Sequence, residues 1–142
     1  MGLSNRIGGD MTDSNADIAA RALGEILGNG NLDVVNELYA PEYIHHGPGG
    51  DSDREGFRAA EAGFAAAVSD ANFVVDDLFE SGDRVAIRWT LTANQTGEVA
   101  GIAPTGKQFS IAGIMIFRIE NNMIVEDWEE VNLSGLLALA GS

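Results

Sequence analysis

The chain has 142 residues, of which 45% are apolar and 21% charged, with a formal charge of −14 and no cysteine. That size and balance suit one globular domain, not a disordered segment or two separate cores. The negative charge disfavours nucleic acid and anionic membranes as partners, and the missing cysteine excludes disulfides, thiolate zinc sites and a thiol nucleophile. No apolar run approaches the roughly 20 residues that cross a bilayer, so a cytoplasmic protein is expected. Residues 1–13 are polar and Gly-rich without a signal-peptide core; they are expected to be a flexible tail, with residues 14–142 forming a single domain.

Helical signals come first. Ile18, Ala22, Leu23, Ile26 and Leu27 recur at helical spacing until Gly28-Asn29-Gly30 stops the run. A shorter helix follows with Leu32, Val35, Leu38 and Tyr39 on one face, and Pro41 is expected to end it. Tyr43 to His46 reads as a short extended segment, closed by Gly47-Pro48-Gly49-Gly50. Ser52-Asp53-Arg54-Glu55 matches a capping box opening a third helix, whose face is Phe57, Ala60, Phe64, Ala67 and Val68.

Beyond residue 72 the apolar period changes to two. Residues 73–80, 84–96, 108–120 and 123–131 read as strands, separated by Ser81-Gly82-Asp83, a loop over 97–106, and Asn121-Asn122. Residues 133–139 form an apolar tail with room for one helical turn. Three N-terminal helices before a meander of long strands predict an α+β fold: a strongly curved, cone-shaped antiparallel or mixed sheet with the helices closing a pocket.

Side chains alternate faces along a strand. On the last strand Val125, Asp127, Glu129 and Val131 share one face, opposite Ile124, Glu126, Trp128 and Glu130. Trp89, Leu91, Ala93 and Gln95 share a face of the second strand, and Gly113, Met115, Phe117 and Ile119 a face of the third. Both faces of the sheet carry apolar residues, so one is expected to line the pocket and the other to meet a second copy of the chain.

Three stretches carry a family resemblance: Asn31-Leu32-Asp33-Val34-Val35-Asn36-Glu37-Leu38-Tyr39-Ala40-Pro41-Glu42-Tyr43; Val85-Ala86-Ile87-Arg88-Trp89-Thr90 through Pro104-Thr105-Gly106-Lys107; and Phe117-Arg118-Ile119-Glu120 through Val125-Glu126-Asp127-Trp128. The chain resembles SnoaL-like proteins, the polyketide-cyclase and ester-cyclase branch of the nuclear transport factor 2-like superfamily. The resemblance implies a cone-shaped homodimer with an apolar cavity for a small apolar molecule and acid/base chemistry without a cofactor. It places the family's acid/base carboxylate, just after the tryptophan of the last strand, at Glu129, and so favours the face shared with Asp127. The cyclases' partner histidine falls near Met115, and Gln95 stands where the branch often carries another histidine.

The candidate catalytic residues are therefore Glu129, Asp127 and His46, and the candidate ligand contacts are Trp89, Gln95, Met115, Phe117 and Tyr43. A glutamate in an apolar cavity has its pKa raised toward neutrality, which suits a group that takes and returns a proton. His46 resembles a position near the cavity mouth where the family often keeps histidine. Adjacent His45 and His46 point opposite ways on an extended segment, so no metal site is expected. Arg118 and Arg88 fall on the other face and are expected to pair with Glu126 or Glu130. The leading expectation is aldol-type ring closure or isomerisation of a carbonyl substrate; water addition of the epoxide-hydrolase or dehydratase type and non-catalytic ligand binding stand as alternatives.

Overall fold

The computed structural model describes residues 14–141; the expected tail over 1–13 lies outside the described residues. Helix α1 (Asn15–Leu23) opens on a capping box: the Ser14 hydroxyl accepts from the Asp17 N–H at 3.1 Å, and the Asp17 carboxylate accepts from the Ser14 N–H. It runs into a π-turn over Gly24–Gly28, and α2 (Asp33–Leu38) follows. The chain then becomes strand β1 (Tyr39–Gly47), so Pro41 lies inside a strand and the helix ends earlier than expected, at Leu38. Pro41 falls where the β1–β6 register shifts between Tyr39 and Ile44, a place where a missing N–H costs the ladder nothing.

A strand absent from the sequence reading, β2 (Gly50–Asp53), folds back on the end of β1. Helix α3 (Arg54–Ala66) is capped by Asp53, not Ser52: the Asp53 carboxylate accepts from the Gly56 N–H at 2.8 Å. Four long strands follow: β3 (Val68–Ser81), β4 (Arg84–Gln95), β5 (Gln108–Glu120) and β6 (Met123–Asn132). β3 starts five residues before the period-two signal at Phe73. A short α4 (Ser134–Leu137) and a 3₁₀ turn (Ala138–Gly141) end the described chain.

The strands form one curved, unclosed sheet in the order β2-β1-β6-β5-β4-β3. Neighbours are antiparallel except β1 and β6, which run parallel and make the sheet mixed. The fold is thus α+β as expected, but β1 and β2 separate α2 from α3, and α4 adds a helix at the other end of the chain.

The inner face holds the core. Ile87, Trp89 and Leu91 of β4 and Met115, Phe117 and Ile119 of β5 are buried and pack with Ile18, Ala22 and Leu23 of α1 and Val35 of α2. Each fully buried large apolar side chain contributes roughly 1.5–3 kcal/mol. The outer face is wetter, and Ile114 and Ile116 of β5 are exposed on it. The alternation expected on β6 breaks once. Glu126 pairs with Arg118 and Ile124 with Ile119, leaving Val125 as the extra residue of a β-bulge. The bulge turns Ile124 inward, where it is fully buried, while Asp127 and Glu129 keep their inner positions opposite Phe117 and Met115.

Candidate active site

The site is set by register. β1 runs beside β6 with His45 level with Asp127 and His46 level with Trp128. Asp127 points inward, so His45 meets it there; His46 takes the outer face with Trp128. The two histidines therefore belong to different environments.

On the inner face Asp127 is completely buried. One carboxylate oxygen accepts from the Tyr43 hydroxyl at 2.7 Å, and the other is 2.7 Å from Nδ1 of His45. A buried carboxylate needs such partners, because an unpaired one costs several kcal/mol. The two bonds fix the imidazole and leave Nε2 facing Glu129, 3.7 Å from its carboxylate. This is a carboxylate-oriented histidine, an arrangement that sets tautomer and direction. Gly47 is required next to it: a Cβ there would lie 2.3 Å from His45 Nε2.

Glu129 opens into a cavity of about 210 Å³ between the sheet and the helices. Its walls include Leu27, Phe64, Trp89, Ile111, Val131 and Leu136, and the carboxylate-bearing members are Glu129 from β6 and Glu61 from α3. Burial pushes the Glu129 carboxyl up to about 7, and repulsion from Glu61 adds to the shift. Glu61 is likewise raised to about 7, chiefly by burial. For His45, burial works toward a lower pKa, but the hydrogen bond and charge of Asp127, with Glu129 and Glu61, outweigh it and the net shift is upward. Burial raises Asp127, against the lowering pull of His45 and Tyr43. Tyr43 is raised by burial and by the Asp127 charge, so it stays a neutral donor.

His46 sits elsewhere than expected. Its Nδ1 is 2.9 Å from Asp51 and its Nε2 2.8 Å from Glu126, and its ring stacks on Trp128 with centroids 5.4 Å apart. Both nitrogens are engaged on the outer side, so the structure brings His45, not His46, to Asp127 and Glu129. The signal was in the alternation: Tyr43 and His45 share parity, and Tyr43 was already a candidate ligand contact. Arg118 reaches Glu126 as expected, whereas Arg88 pairs with Asp77 of β3.

Of the expected ligand contacts, Trp89 lines the cavity, and its buried indole N–H has no hydrogen-bond partner among the described residues. Met115 and Phe117 are buried on β5 opposite Glu129 and Asp127. Tyr43 is engaged by Asp127. Gln95 is fully buried and spent on the β4–β5 loop: its amide donates to the Ile102 carbonyl at 2.9 Å and accepts from the Thr105 hydroxyl at 2.7 Å. That loop carries Val99 and Ala100 into the cavity wall. Glu61 was missed because the α3 face was read as Phe57, Ala60 and Phe64. Spacings of four and three residues place Glu61 between Phe57 and Phe64 on the same face. Among the described residues no group of three or more His, Asp or Glu side chains converges at metal-ligand spacing.

Comparison with known proteins adds the family. The profile of the SnoaL-like polyketide cyclases matches residues 17–138. No curated protein matches the chain. Among solved structures, TsrD from Streptomyces laurentii is 32% identical, with a TM-score of 0.77 over 88% of this chain and 92% of its own. IdmH from Streptomyces antibioticus, described as a candidate polyketide cyclase, is 28% identical with a TM-score of 0.78, over 92% of this chain and 100% of its own. AclR from Streptomyces galilaeus, described as a candidate hydroxylase, is 26% identical with a TM-score of 0.78, over 90% and 98%. With the profile covering most of the chain and the inner-face geometry in agreement with that fold, the chain belongs to the SnoaL-like polyketide cyclase family.

Proposed function

We propose that the protein is a cofactor-independent acid/base enzyme that enolises a small apolar carbonyl compound and closes a ring by aldol-type attack, or isomerises it. The observation that carries this is Glu129, a carboxylate set in an apolar cavity beside an imidazole that Asp127 holds in place. With its pKa near 7, Glu129 is partly ionised at neutral pH and is poised both to take a proton from carbon and to return it. His45 supports the ionised form through its charge, and Asp127 and Tyr43 position His45. The Trp89 N–H is a spare donor in the same wall.

The test does not require the natural substrate. In D₂O the α-protons of 2-tetralone, a flat apolar ketone, exchange at a rate that proton NMR follows directly. The protein accelerates this exchange, and Glu129→Gln, which keeps the shape and removes the base, brings it down to the uncatalysed rate. Equal exchange by the variant and the parent would sink the role of Glu129; tight binding of the ketone without exchange would favour a non-catalytic binder. Water addition is a second reading, favoured by two carboxyl groups in one cavity that can hold a water between them. Incorporation of ¹⁸O from labelled water into the product distinguishes it from ring closure.

The outer sheet face is proposed to pair with a second copy of the chain. Ile114 and Ile116 are exposed there, and the clefts around them are lined by Trp128, Glu130 and Arg88. A self-complementary apolar strip with both charge signs at its margin is what a two-fold interface needs.

A further inference from the structure

Glu61 stands half-buried on the face of α3 that carries Phe57 and Phe64, where an amphipathic helix places apolar residues. Phe57, one turn before it, is buried, and Phe64, one turn after it, lines the cavity. Among the described residues no side chain makes a hydrogen bond or ion pair with Glu61. Its carboxyl enters the cavity from the helix layer, while that of Glu129 enters from the sheet. Among the described residues no Lys or Arg lines this space; the other titratable groups facing the pair are His45 from β1 and Asp127 from β6, with Tyr39 and Tyr43 of β1 behind them. An unpartnered acid is expensive in such a place and persists where chemistry uses it.

We propose that Glu61 is the second acid/base group of the cavity, sharing one proton with Glu129 and passing it to the substrate's carbonyl oxygen while Glu129 takes a proton from the adjacent carbon. The proposal rests on the enolisation reading given above. The protons balance. The C–H bond breaks toward the Glu129 carboxylate, the Glu61 O–H bond breaks toward the carbonyl oxygen, and a neutral enol is left with Glu129 protonated and Glu61 ionised. In ring closure the enol carbon bonds to a second carbonyl carbon. The enol O–H then gives its proton back to Glu61, the new alkoxide oxygen takes the proton of Glu129, and both carboxyls regain their starting forms. Two acids, with no Lys or Arg among the described residues of the wall and the His45 charge already matched by Asp127, disfavour a carboxylate or phosphate at the end of the substrate that enters the cavity.

The decisive experiment is a ¹³C NMR titration of protein labelled at the glutamate carboxyl carbons. Glu61 and Glu129 should both titrate near neutrality in coupled steps. Glu61→Gln should move the Glu129 midpoint down by about one pH unit, a roughly tenfold change in acidity. Glu129→Gln should move Glu61 downward in the same way, which keeps the test available if one variant folds poorly. In 2-tetralone exchange the parent should show a bell-shaped pH profile, rising as Glu129 ionises and falling as Glu61 does. Glu61→Gln should lose the alkaline limb and slow exchange by about 10²-fold with little change in KM. Midpoints that ignore the reciprocal substitutions would overturn the pairing whether or not the ketone is turned over. A bell that survives in Glu61→Gln would overturn the proton donation while leaving Glu129 as the base.

Discussion

At the scale of single residues the two cavity carboxyls cost stability once they ionise. Glu129 and Glu61 have folded-state values near 7, above those of ordinary carboxylates, so the folded protein holds their protons more tightly than the unfolded chain does. Their contribution is fully present below the ordinary carboxylate pKa and is lost as pH rises through about 7. Glu129→Gln and Glu61→Gln, which remove the buried charge, should each stabilise the protein at pH 8 by on the order of 2 kcal/mol and change little at pH 4. Urea unfolding at the two pH values measures this; equal effects at both would mean that neither carboxyl is desolvated. The residues legible in the sequence were those on regular strands. Alternation on β6 put Asp127 and Glu129 on one face, and the bulge at Val125 lies before them, so it does not disturb the assignment. His45 and His46 are neighbours of the same type, and only parity with Tyr43 separates them. Glu61 was hidden because an acidic residue on a helix reads as solvent-facing until the layer above it is known.

At the scale of elements, β4 and β5 were clear because their alternation runs for ten or more residues, whereas β2 spans four residues without an apolar side chain and carries no pattern. β2 exists because Gly50, at φ 105°, lets the chain reverse onto β1. Gly113 in the middle of β5 is a second such place. It pairs across the sheet with Trp89, and a Cβ added there would lie 2.5 Å from the indole and 3.0 Å from the Glu130 carbonyl. The strand has a glycine where the indole lies against its backbone. Gly113→Ala should therefore push Trp89 out of place and cost about 1–3 kcal/mol, as overpacking does. Because Trp89 lines the cavity, the same change should weaken ketone binding. In a Trp128→Phe background the tryptophan bands of the near-ultraviolet circular dichroism report Trp89 alone; unaltered tryptophan bands with unaltered unfolding would show that the contact is not tight. The β4–β5 loop follows the same logic from the polar side. Gln95 was expected to touch ligand, but a fully buried amide must find partners, and it found them in the loop that completes the cavity wall.

At the scale of the whole molecule, the two faces of the sheet differ in what covers them. The inner face is closed by helices from both ends of the described chain and holds the acids; the outer face leaves Ile114 about half exposed and Ile116 somewhat less. Apolar surface at the centre of a sheet, away from its edges, favours a partner that lies flat across β4, β5 and β6. The second copy proposed for this face would do so without new chemistry: Arg88 and Arg118 stand on the same face as Glu126 and Glu130, so a two-fold rotation can bring opposite charges together at the rim. The formal charge of −14 on each copy opposes this association. The opposition is long-range and is screened by salt, with a Debye length of about 10 Å at 0.1 M, whereas the apolar contact is not screened. The dimer should thus strengthen as salt is raised from low concentration, the reverse of an interface held mainly by rim ion pairs. Light scattering coupled to gel filtration should show a dimer at moderate salt, dissociation on dilution into low salt, and a monomer for Ile114→Glu under all conditions. The substitution places a charge on an exposed position, so the monomer should unfold much as the parent does. A parent that stays monomeric at high salt and high concentration would remove the second copy as the occupant of this face.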